Sequence, residues 1–75
     1  MINLQELFLD KNQITKIEGL KNLKSLIILF LERNRITNFD LKDIKHLKNL
    51  NFIFLNDNPL DSESKENYEK RTRFP

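Results

Sequence analysis

Apolar residues return at fixed intervals along this chain. Set against one another without gaps, LQELFLDKNQI (4–14), LIILFLERNRI (26–36) and LNFIFLNDNPL (50–60) carry apolar side chains at the first, fourth, sixth and eleventh positions. Asparagine stands ninth in each, as Asn12, Asn34 and Asn58. The stretches between them also correspond, with Ile17, Leu20 and Leu23 matching Phe39, Ile44 and Leu47. The period is 22 residues and then 24, the two extra residues falling within 40–43, and Met1 takes the place of Leu23 and Leu47. Self-similarity at this period is the signature of a protein built by stacking one small unit.

The pattern also fixes the elements. Side chains alternate along a strand, so the fourth and sixth positions share a face: Leu7 and Leu9, Leu29 and Leu31, Ile53 and Leu55 turn inward. The asparagine that follows carries a donor and an acceptor on one amide, and can satisfy loop backbone where the chain leaves the sheet. The later apolar positions bring the chain back beneath the sheet, so that successive strands pair in parallel through right-handed crossovers. Each copy covers only one face of the next, and stacking completes the core. Leu41, Ile44 and Leu47, spaced by threes, predict about two turns of α- or 3₁₀-helix over 40–49. A helix from Ser62 or Ser64 to about Arg71, N-capped by a serine and stopped near Pro75, is expected to lay Tyr68 and Phe74 over the open end of the third copy.

The L-x-x-L-x-L-x-x-N-x-I core, continued in the first copy as ITKIEGLKNLKSL, resembles the leucine-rich repeat family. It is most similar to the 22-residue intracellular class typified by the protein phosphatase 1 regulatory subunit, the axonemal dynein light chain and the spliceosomal A-prime protein. The resemblance covers residues 1–60. Residues 58–75 resemble the start of that class's C-terminal cap, with Tyr68 and Phe74-Pro75 in matching places and the final leucine-rich strand absent. It implies an α/β fold: a right-handed solenoid with a short parallel sheet on its concave face, about three repeats and a partial helical cap. The expected divisions are 1–3 as the end of a preceding repeat, 4–25, 26–49, 50–60 as a partial repeat, and 61–75 as the cap. Met1 in a core slot and the absent last strand suggest a piece of a longer array, a truncated product, or a protein completed by another chain.

Alternation leaves the third, fifth, seventh and eighth positions outside. Phe8, Phe30 and Phe54 then stand side by side on strands about 4.8 Å apart, within the roughly 4.5–7 Å range that favours aromatic pairs. Ile28 and Phe52 widen this row. Asp10, Glu32 and Asn56 form a second row, and Lys11, Arg33 and Asp57 a third. An aromatic ladder can serve the sheet alone, through cross-strand pairs. Five large apolar groups ringed by charge also have the anatomy of a protein interface. The second reading makes Phe8, Phe30, Phe54, Ile28 and Phe52 the anchor of a protein-binding site, oriented by Asp10, Glu32, Lys11 and Arg33. By resemblance, the chain is an intracellular, cytoplasmic adaptor or regulatory scaffold. The alternatives are a structural segment without a partner of its own and a ribonucleoprotein component that uses the opposite side.

Composition narrows the chemistry. There is no cysteine, hence no disulfide framework or thiolate metal site, and His46 is the lone histidine. Thirteen basic against eleven acidic residues give a net charge of +2, too small an excess to indicate nucleic-acid binding. Lys21, Lys24, Lys45 and Lys48 recur in register with Lys16 and Lys42 nearby, a pattern read as a solvated face. No apolar run predicts a membrane span and no N-terminal pattern predicts a signal peptide. No phosphate-binding, metalloprotease or nucleophile-elbow motif occurs, so neither an enzyme nor a cofactor is expected. Asp10 and Glu32 stand side by side, but on an open face beside Lys11 and Arg33 they make a poor acid–base pair. An uncapped first strand leaves self-association as a further expectation.

Overall fold

The computed structural model describes residues 3–73. Three short strands, β1 (Glu6–Phe8), β2 (Ile28–Phe30) and β3 (Phe52–Phe54), form one sheet in the order β1-β2-β3, with both pairings parallel. The sequence period becomes the sheet register: Leu7 pairs with Leu29 and Leu29 with Ile53, while Phe8 pairs with Phe30 and Phe30 with Phe54. The backbone ladder continues past the strands. Leu9 and Lys11 donate their N–H groups to the carbonyls of Phe30 and Glu32 at 2.8 and 2.9 Å, and Leu31 and Arg33 donate to Phe54 and Asn56 at 2.9 and 3.0 Å.

The core lies on the other side of the sheet. Leu26, Leu29 and Ile36 are fully buried, and Leu31, Phe39, Ile44, Leu47, Ile53 and Leu55 join them. The first copy is less well covered: Leu7, Leu9, Ile14, Ile17 and Leu23 are only partly buried. A recess of about 360 Å³ opens there between Leu9, Ile14, Ile17, Leu20 and Leu31. The return segments use the same tight turns in both copies. The N–H groups of Leu23 and Leu26 meet the carbonyls of Leu20 and Leu23, and those of Leu47 and Leu50 meet Ile44 and Leu47.

The helix expected over 40–49 is shorter than its spacing predicts. A single 3₁₀ turn, Leu41–Asp43, is closed by reciprocal capping: Asp40 accepts from the N–H of Lys42, and the Asp43 carboxylate accepts from the N–H of Asp40. Ile44 then leaves helical geometry, at φ −123° and ψ 3°. This turn takes up the two additional residues of the longer repeat and pushes Leu41 outward to 39 % exposure. Phe39, Ile44 and Leu47 keep the core slots of Ile17, Leu20 and Leu23.

The helix α1 (Ser62–Arg73) also departs from expectation at its start. Its cap is Asp61, not a serine: the Asp61 carboxylate accepts the N–H of Ser64 at 2.8 Å, and its carbonyl accepts the N–H of Lys65. A carboxylate at this place satisfies an otherwise orphaned helix N–H. Ser64 is buried for a different purpose, its Oγ accepting the N–H of Phe39 at 2.7 Å. Phe39 is held from three sides, since Asn67 donates to its carbonyl and Tyr68 packs edge-on against its ring at 6.3 Å. Tyr68 further accepts the N–H of Leu55 and donates to the side chain of Asn56, while Arg71 donates to the carbonyl of Leu50 at 2.7 Å. The helix therefore closes the β3 side of the sheet. Met1, Phe74 and Pro75 lie outside the described residues.

Candidate interaction face

Two backbone devices carry the chain from each strand into its loop. The first is a left-handed residue at the eighth position of every copy: Lys11, Arg33 and Asp57 have φ of 58°, 57° and 63°. Non-glycine residues rarely adopt this region. Its recurrence at the same place in three copies marks it as the turn that ends the strand. The second is the asparagine directly after it. The Asn34 amide donates to the carbonyls of Leu9, Leu31 and Glu32 at 2.9–3.2 Å and accepts the N–H of Ile14 at 3.0 Å. Asn58 repeats the arrangement one copy on, donating to Leu31, Leu55 and Asn56 and accepting from Ile36. Among the described residues Asn12 makes the within-copy half, to Leu9 and Asp10.

With the strands held in register, the outward side chains form rows. Phe8 and Phe30 stack with ring centroids 4.4 Å apart and planes 6° from parallel; Phe30 and Phe54 stack at 5.2 Å and 16°. Phe52 joins from its own strand, 6.4 Å from Phe54 and again parallel. The row lies on the surface, with Phe8 62 % and Phe52 54 % exposed and Phe30, Phe54 and Ile28 half-buried. Phe30 has a ring on each of its faces.

The charged rows occupy the loop end of the same surface. Asp10, Glu32 and Asn56 continue the alternation one step beyond Phe8, Phe30 and Phe54, about 6–7 Å along each strand. Glu32 is half-buried, and its Oε1 is withdrawn from solvent without a hydrogen-bond donor among the described residues. In the next row Arg33 Nε lies 3.5 Å from Asp57 Oδ2. Both partners are more than half exposed, so this pair adds little to stability. Among the described residues it is the one ion pair of this surface. Lys11 is exposed at the rim.

The sequence-predicted residues thus divide into a contiguous aromatic row, a neighbouring acidic row and a mixed rim. What the sequence reading passed over is the left-handed turn beneath Lys11, Arg33 and Asp57. It also passed over the tie from Asn56 to the capping helix through Tyr68. The coincidence of three charged residues just before three asparagines was the available signal. On the opposite side, Lys16, Lys21, Lys24, Lys42, Lys45, Lys48 and His46 are all exposed. Among the described residues no cluster of His, Cys, Asp or Glu could hold a metal ion, and no helix is long and apolar enough to cross a membrane.

Parallel strands set at the chain's own period, one asparagine joining each copy to the last, define a protein made of stacked repeats. The family model described as leucine-rich repeats (2 copies) matches residues 2–43, and the chain belongs to the leucine-rich repeat family. Domains of this family are generally protein–protein interaction modules and are typically not enzymes. No curated protein matches the chain.

Proposed function

We propose that this chain is a non-enzymatic module that binds a protein partner through the outer face of its sheet. Phe8, Phe30, Phe54, Ile28 and Phe52 form the anchor, and Asp10, Glu32, Lys11 and Arg33 set the orientation. The observation that carries this reading is the exposure of the aromatic row. Rings that served only the sheet would be expected to cover one another, yet Phe8 and Phe52 remain more than half open to solvent. An apolar strip bordered by charge matches the composition of a protein interface, with a desolvated centre and a polar rim.

In this reading the chain winds as a right-handed solenoid with the outer face concave, its repeats dividing as 4–25, 26–49 and 50–60 before the cap at 61–75. Resemblance to the 22-residue class supports an intracellular adaptor or scaffold. The test replaces Phe30 and Phe54 together by serine and compares the variant with the intact chain in affinity capture from cell extract. Circular dichroism checks the fold. Partners lost with the fold retained support the reading; unchanged capture refutes it.

A second reading, self-association, is favoured by the free edge of β1. The ladder directs the N–H and C=O groups of Glu6 and Phe8 away from β2, and no described residue donates to the carbonyl of Phe8, while that of Asp10 accepts from the Asn12 side chain. Unpaired edges of this kind accept strands. Sedimentation equilibrium across a hundredfold range of concentration tests it, and a constant monomer mass removes it.

A further inference from the structure

The charge on the proposed binding face is opposite to that of the rest of the chain. The face and its rim hold four acids, Glu6, Asp10, Glu32 and Asp57, against two bases, Lys11 and Arg33, a net of −2. The remaining eleven bases and seven acids leave everything else at +4. Within the face the charges are also unequally matched. Arg33 is engaged by Asp57, while Glu32 keeps a shielded oxygen without a donor. A carboxylate partly removed from water interacts with an arriving charge through a lower effective dielectric than a fully solvated one, so an unneutralised Glu32 favours a cation.

The rings decide how that cation is held. Phe30 is covered on both faces by Phe8 and Phe54, so the quadrupole attraction of a cation to an aromatic face is not on offer at the centre of the row. What the row presents is apolar surface, and the acidic row begins about 6–7 Å away, two residues along the strand. A side chain that matches both is one with an aliphatic stem and a charged head, which lays its methylenes on apolar surface and carries its charge beyond it.

Resting on the reading of this face as a protein-binding site, we propose that its partner presents a lysine or arginine in an extended segment. The stem of that residue lies over the row at Phe30, and its head is met by Glu32 and Asp10. The occupant is thus a basic peptide segment, selected by charge complementarity against a protein that is otherwise basic.

The experiment is a selection from a random peptide display library on the intact chain, counter-screened against the Phe30→Ser/Phe54→Ser variant so that only binders dependent on the face are kept. Enrichment of Lys or Arg at one fixed position of those binders is expected. A synthetic peptide carrying the enriched sequence should lose about threefold to tenfold in affinity on Glu32→Gln, and a similar factor when citrulline or norleucine replaces its basic residue. Glu18→Gln, an exposed acid off the face, should leave affinity unchanged. Face-dependent binders that are neutral or acidic overturn the basic-segment proposal while leaving the binding face intact. A selection yielding no binder dependent on Phe30 and Phe54 overturns both.

Discussion

The side-chain amide of Asn34 donates to the carbonyl of Leu9 across 2.9 Å, joining positions 25 apart in sequence. The same side chain accepts from Ile14, so one buried residue fastens both the end of β1 and the loop behind it. Asn34→Ala would take one donor from each of three carbonyls, those of Leu9, Leu31 and Glu32, and leave the N–H of Ile14 without its partner, at a cost of about 1–3 kcal/mol. Asn12, exposed and bonded to Leu9 and Asp10 of its own copy, should cost no more than about 1 kcal/mol on the same change. Urea midpoints for the two variants check this, and equal losses would mean that the bonds between copies contribute nothing.

Exposure separates the aromatic residues in the same way. Phe39→Ala removes a ring that is 1 % exposed and packed edge-on against Tyr68, and should cost about 3–5 kcal/mol. Phe8→Ala removes one stacking contact from the surface and should cost about 0.5–1.5 kcal/mol. Thermal unfolding of both variants measures the contrast. A Phe8 loss as large as that of Phe39 would move the outer row from interface to scaffold.

The eighth position supplies a backbone test. At φ 58°, Lys11→Val places a β-branched residue where left-handed geometry is least tolerated, and should cost about 1–3 kcal/mol, whereas Lys11→Gly should be close to neutral. Chemical denaturation resolves the pair. Similar stabilities would show that the turn relaxes out of this conformation.

Acid sensitivity has one identifiable source at the cap. The backbone N–H of Ser64, and after it the Ser64 side chain, hold the Asp61 carboxyl below its ordinary value of 3.8. A depressed folded value means that the stabilisation is complete above the unfolded value and is lost as pH falls through the folded one. Asp61→Asn keeps a capping oxygen without the charge. Between neutral pH and pH 2, its unfolding midpoint should decline less than that of the intact chain. Parallel decline in the two proteins would exclude Asp61 as the titrating cap.

Much of this arrangement could be read from the spacing of side chains, because the forces that set it are periodic. Leu29 and Ile53 occupy equivalent core slots since a strand offers its inward face every second residue. The row Phe8–Phe30–Phe54 follows from that register. Where a position depends on partners far away in sequence, spacing was silent. Leu41 has the interval of a core residue, but the capped turn between Asp40 and Asp43 carries it outward. Ser64 has the composition of a helix cap, and Phe39, 25 residues earlier, claims its hydroxyl. The pairing of Arg33 with Asp57 and the unsatisfied oxygen of Glu32 depend on rotamers that no interval encodes.

The contrast between the two margins of the sheet gives the molecule a direction. At the β3 margin Tyr68 takes the N–H of Leu55 and Arg71 the carbonyl of Leu50; at the β1 margin the carbonyl of Phe8 meets no described donor. A strand added beside Phe8 would continue the aromatic strip, whereas one added at the far margin would first have to displace Tyr68 from the N–H of Leu55.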